Sequence, residues 1–151
     1  MAQFLLTLTL ISILGLIATM VAGFRSTPVH AATHILIALV TVLVGLFAQS
    51  MTMFFFIGMG KEIKEASGQD AEVVRRTRAH KAKVFPAATY SIAVLMVTFI
   101  MGGGVRVGKT PVWLHLLLAF ASLIMLGRAY YVELKAMEDN ARLMEQYLKE
   151  E

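Results

Sequence analysis

Residues 26–60 read STPVHAATHILIALVTVLVGLFAQSMTMFFFIGMG, thirty-five consecutive positions without an Asp, Glu, Lys or Arg. A bilayer hydrocarbon core of ~30 Å takes about 20 helical residues. The stretch is therefore long enough to cross a membrane and continue beyond it. Three other uncharged runs, 1–24, 84–105 and 110–127, are each near or above that length. In a chain of 151 residues that is 58% hydrophobic and 16% charged, only about one-third of the positions remain for everything else. That excludes a separate soluble catalytic domain and predicts no catalytic activity for the chain alone. Cysteine is absent, which excludes disulfides, thiolate metal sites and iron–sulfur clusters.

The expected fold is an all-α integral membrane protein: a four-transmembrane-helix bundle with cytoplasmic helical extensions. We read it as one membrane domain over 1–151, with spans at about 3–24, 31–60, 84–105 and 111–131. A helical hairpin over 61–83 and an amphipathic helix over 132–151 make up the extensions. The first run lacks a basic segment before it and exceeds the ~7–15 apolar residues of a signal peptide, so it reads as a retained helix. Ser67-Gly68-Gln69-Asp70 looks like a turn with a capping box.

Lys and Arg near span ends are retained on the cytoplasmic side. Eleven of them fall in 61–83 and after span four; Arg25, Arg106 and Lys109 lie on the other side. Both termini are thus expected in the cytoplasm, with a bacterial inner membrane as the setting. By this assignment all ten acids lie inside, leaving the outer end cationic and free of carboxylates.

Spans two and four open alike, with Thr27-Pro28-Val29 and Thr110-Pro111-Val112, threonine as a cap and proline in the first helical position. The match hints at duplicated hairpins, but no longer repeat is read from the sequence.

Outer histidines are the strongest candidates for chemistry. His30 and His34 share one face of span two, and His115 sits on the second turn of span four. Neutral imidazoles bind zinc or copper, and two on facing helices can ligate haem b. Arg25, Arg106 and Lys109 would neutralise its propionates. Depth argues against convergence: 27 residues separate His34 from Lys61, whereas 13 separate His115 from Arg128. At helical rise that is a mismatch of roughly 20 Å.

Gln49, mid-span, needs an internal partner, expected on span three among Thr89, Tyr90, Ser91 and Thr98; a quinone is the functional alternative for Gln49 and Tyr90. Met51 and Met53 read as packing rather than a copper pair, because alternate helical positions point apart. After Arg128, residues Tyr130, Leu134, Met137, Ala141, Met144 and Leu148 form a heptad seam that packs either on the 61–83 hairpin or on a partner subunit. Of these, Leu134, Met137, Met144 and Leu148 are the candidate docking residues. His80 and its basic neighbours are expected to face anionic lipid headgroups. Nucleic acid is not an expected partner, since acids dilute the basic field and no recognition motif is present. No intramembrane acid is expected, which disfavours an ionisable relay.

The architecture is similar in a general way to small membrane-anchor subunits of respiratory complexes that hold haem between helices. Two functions follow as expectations. One is a small membrane subunit of a larger complex, binding haem b or another histidine-ligated redox centre for electron transfer or quinone chemistry. The other is an accessory docking subunit without cofactor, with a homo-oligomer as a further possible assembly. Orientation is directly testable: a cysteine engineered at Gly68 should resist external labelling in intact cells, and one at Lys109 should label. The reverse pattern would invert the topology.

Overall fold

In the computed structural model, which describes residues 1–27 and 31–148 except the side chains at 147 and 148, the chain forms four helices. These are α1 (Ala2–Phe24), α2 (Ala31–Ala66), α3 (Ala71–Arg106) and α4 (Val112–Leu148). Each is long and apolar enough to cross a membrane. The protein is an integral membrane four-helix bundle.

α1 has 23 residues and α2 has 36, or roughly 35 and 54 Å at ~1.5 Å per residue. Because α1 begins beside Phe56, the other three helices run on without it. This extension has its own core of Ile63, Val73 and Leu143, one residue from each helix, with Met59 and Met144 against it. Its tip is the turn from α2 into α3. Gly68 and Gln69 both take positive φ, 58° and 66°, and the Gln69 N–H reaches back to the Lys64 carbonyl at 2.9 Å. Asp70 Oδ1 accepts from Glu72 N and Val73 N. The expected capping box is only half made: residue three after the cap is Val73, and Glu72 turns instead to Arg75 and Arg76. Those two guanidiniums lower its carboxyl to about 2.

α1 and α3 occupy opposite corners and do not touch among the described residues, whereas α2 and α4 approach across the centre. Within this arrangement the duplication becomes visible. Ser12, Leu16, Thr19 and Gly23 of α1 recur 79 positions later as Ser91, Leu95, Thr98 and Gly102 of α3. His34, Leu36, Ala38 and Ala48 of α2 recur 81 positions later as His115, Leu117, Ala119 and Ala129 of α4. Burial follows the same correspondence: Leu16 and Leu95 are both buried, as are Ala48 and Ala129. The chain thus reads as two like hairpins, packed so that α2 of one meets α4 of the other. Equivalent centre-facing positions of α2 and α4 meet there, Val42 with Leu123 in one cluster and Phe56 with Met137 in another.

The heptad seam on α4 needs correction. Its inward face carries Ala129, Glu133, Ala136, Met137, Asn140 and Leu143, with Met144 partly buried beside them. Leu134 is 42% exposed and Ala141 faces outward; the side chain of Leu148 lies outside the described residues. An apolar seam assumes that the core rejects Glu and Asn, and here it accepts both. Leu143→Asp should therefore release the end of α4, at a cost of several kcal/mol for a buried charge. Ala141→Asp should stay within about 0.5 kcal/mol of the parent. Limited proteolysis of the two variants in detergent distinguishes the faces; equal resistance would show Leu143 to be unburied.

Candidate functional site at the histidine end

Each histidine is fixed by its own hairpin. On α1 the Thr19 hydroxyl donates to the Gly15 carbonyl at 2.8 Å, the usual way a threonine satisfies itself within an apolar helix. The Thr19 carbonyl then faces α2 and takes a hydrogen bond of 3.0 Å from His34 Nδ1. In the second hairpin Thr98 donates to Val94 at 2.7 Å, and its carbonyl takes His115 Nδ1 at 3.1 Å. A carbonyl only accepts, so Nδ1 bears a proton in both rings, and in the neutral imidazole this leaves the Nε2 lone pair for another partner.

Glycine makes the close approach possible. A methyl group at Gly23 would lie 3.1 Å from His34 Cε1, and one at Gly102 2.8 Å from His115 Cε1. Below the rings, Thr19 meets Thr41 at 3.4 Å and Thr98 meets Ser122 at 2.7 Å, again at equivalent positions.

The two imidazoles meet across the axis, with ring centres 6.4 Å apart and planes at 82°. The expected depth mismatch is thus absent. Its premise, that Lys61 and Arg128 mark one level, fails: Gly60 lies against Lys81 of α3, whereas Arg128 shares a groove with Ala87 and Tyr90, further along that helix. Arg25 caps α1, Arg106 ends α3 and Lys109 lies in the following turn, all exposed at this end. Arg25 and His34 line one open cleft of about 460 Å³. His30 lies outside the described residues. No group of three His, Asp or Glu side chains placed to hold a metal ion occurs among the described residues.

Three other expectations change. Gln49 is fully buried, but its Nε2 points to Thr9 Oγ1 of α1 at 3.4 Å rather than to α3. Tyr90 is 59% exposed and lines an outward groove with Lys83 and Arg128. His80 turns inward, donating from Nδ1 to Asn140 Oδ1 at 2.6 Å, with Asp139 3.7 Å from Nε2; its side chain is 13% exposed, too enclosed to face headgroups. Sequence reasoning missed Glu133, which is 0% exposed beside Gln49 and Thr9. The signal was available: position 133 is 81 residues after Thr52, the offset that relates the histidines.

Compared with protein-family models, curated proteins and solved structures, the chain matches none.

Gly102→Ala should force the His115 ring to move and cost about 1–3 kcal/mol, as overpacking does. Gly103→Ala meets nothing within 4 Å and should be neutral or slightly stabilising. The readouts are thermal stability and the histidine ¹⁵N spectrum, in which the parent shows Nδ1-protonated His34 and His115. An unchanged spectrum in Gly102→Ala would contradict the packing.

Proposed function

We propose that the protein is a small membrane subunit of a larger complex that holds a histidine-ligated redox centre, haem b, between His34 and His115, for electron transfer or quinone chemistry. One observation carries the reading: two imidazoles from different hairpins, each anchored through Nδ1–H to a backbone carbonyl, meet at 6.4 Å with Nε2 of each neutral ring left for another partner. Anchoring one ring nitrogen is how proteins orient a histidine that ligates through the other. If such a centre is bound, His34 and His115 would be the residues that hold it, through the ring nitrogens not engaged by the carbonyls.

The donor set suits haem iron better than a bare metal, because only two ligands converge and the macrocycle supplies the rest. Gly23 and Gly102 leave no side chain over the rings, and Arg25, Arg106 and Lys109 would pair the propionates. His30, one turn before His34, would be a substitute ligand. When bound, the group would supply one-electron transfer; this chain's residues fix ring orientation and tautomer and hold the anionic edge.

The excess of basic residues at the opposite end supports a cytoplasmic location for both termini, with the three-helix extension as the docking side. Leu134 and Ala141, both turned outward, are seam residues left available to a partner subunit among the described residues. Met137 and Met144 are used within the chain. Lys83, Arg128 and Tyr90 suit an anionic lipid headgroup.

A second reading is favoured by the same anchors: a histidine bonded to a carbonyl and packed on glycine also serves as a clasp, in a docking subunit without cofactor. Spectra of native protein separate the two. Haem gives a sharp reduced α-band that is lost in His34→Ala and His115→Ala, retained in His80→Ala, and weakened less by Arg106→Ala. Absence of the band from fully loaded native material, with all variants folded, would leave the clasp.

A further inference from the structure

Toward the other end of the spans, the bundle encloses a carboxylate with no positive partner. Glu133 of α4 is 0% exposed, and both carboxylate oxygens lack a hydrogen bond. It lies beside the Gln49 amide and the Thr9 hydroxyl without completing a bond to either. Gln49 Oε1 and Thr52 Oγ1 are also buried and unpartnered. Thr52 and Glu133 hold equivalent positions in the two hairpins, 81 residues apart, and Thr52 lies on the turn of α2 that follows Gln49.

All four unsatisfied atoms are oxygens. Three of them, in the ionised state, only accept. The Thr52 hydroxyl could donate to any of these oxygens, yet it reaches none, so it stands more than a hydrogen bond away from them. The enclosure therefore lacks a donor or a positive charge, not another acceptor. Among the described residues no side chain is seen to provide it: α1 and residues 31–60 of α2 carry no charge, Lys83 and Arg128 are exposed on the outer groove, Lys81 lies against Gly60 and His80 is bound to Asn140. Leu5, Phe56, Val84 and Met137 close the site toward the extension.

We propose that Thr9, Gln49, Thr52 and Glu133 form an intramembrane site for a monovalent alkali cation, with Na⁺ as its ligand. Hard oxygen donors suit such an ion, and one carboxylate among neutral oxygens balances one positive charge. Isolated carboxylates within spans are costly and mark ion sites for that reason. The site is independent of the histidine end, from which Leu16, Val42 and Leu95 separate it.

The test uses the full chain in detergent or nanodiscs with dicyclohexylcarbodiimide, which modifies carboxyls in apolar surroundings when protonated. Peptide mapping should find Glu133 as the modified residue in choline chloride. NaCl at equal ionic strength and pH should slow that modification about tenfold at ten times the dissociation constant. NaCl should also raise the melting temperature of the parent protein, and not that of Glu133→Gln. Thr52→Val should weaken Na⁺ protection while Glu133 remains modifiable, which tests the site without removing its charge. Modification of Glu133 at the same rate in NaCl and choline, with no Na⁺-dependent melting shift, would overturn the proposal and show a carboxyl that is simply protonated.

Discussion

Within hydrocarbon a polar side chain has no solvent to turn to, so it must find its partner inside the protein or on its own helix. The bundle is organised by that constraint more than by apolar packing, since lipid accepts leucine as readily as another helix does. Thr9, Ser12 and Thr19 lie on the inward stripe of α1, Thr41, Gln49 and Thr52 on that of α2, and their counterparts Ser91, Thr98 and Ser122 on α3 and α4. Each hydroxyl that bonds back along its helix leaves its neighbours' oxygens placed for the next helix. His34 and His115 are the outcome at one end, and Glu133 with Gln49 the outcome toward the other.

The relation between the hairpins explains why these groups come in pairs. Three pairs of equivalent positions on α2 and α4 come together: His34 with His115 in ring contact, and Val42 with Leu123 and Phe56 with Met137 in shared clusters. Where both are polar and alike, as with the histidines, the pair is matched. Where they have diverged, as Thr52 and Glu133 have, a buried carboxyl group stands where the other hairpin has a hydroxyl. The histidine end and the buried carboxylate are thus two consequences of one architecture, and either can fail as a functional site without the other.

Length and absence of charge made the helices legible in the sequence, because a span announces itself by what it omits. The faces of those helices were not legible in the same way. Outward positions such as Leu36, Ile57 and Ile124 need only be apolar, so hydrophobicity fails to tell inside from outside within a span. On α4 it misled, placing Leu134 inward and Glu133 outward. Duplicated hairpins are only hinted at in the sequence because identity is concentrated at inward positions, and the shift of 79 on one pair of helices becomes 81 on the other. The shared Thr-Pro-Val openings, 83 apart, fit neither offset. Convergence of His34 and His115 was suspected from spacing, but judging depth by the nearest charge obscured it, since α2 continues past the end of α1 before its first lysine.

The central claim is that equivalent positions of the two hairpins meet on the bundle axis. The most direct measurement is a side-chain contact between His34 and His115 by solid-state NMR in lipid bilayers, using ¹³C,¹⁵N-histidine with His30 and His80 replaced by Gln. With ring centres 6.4 Å apart, the account requires a cross-peak between the two imidazoles, together with contacts from each ring to its own Thr19 or Thr98 carbonyl. Ring-to-carbonyl contacts without the cross-peak would show two intact hairpins that do not meet, and the architecture described for the centre of the bundle would be wrong.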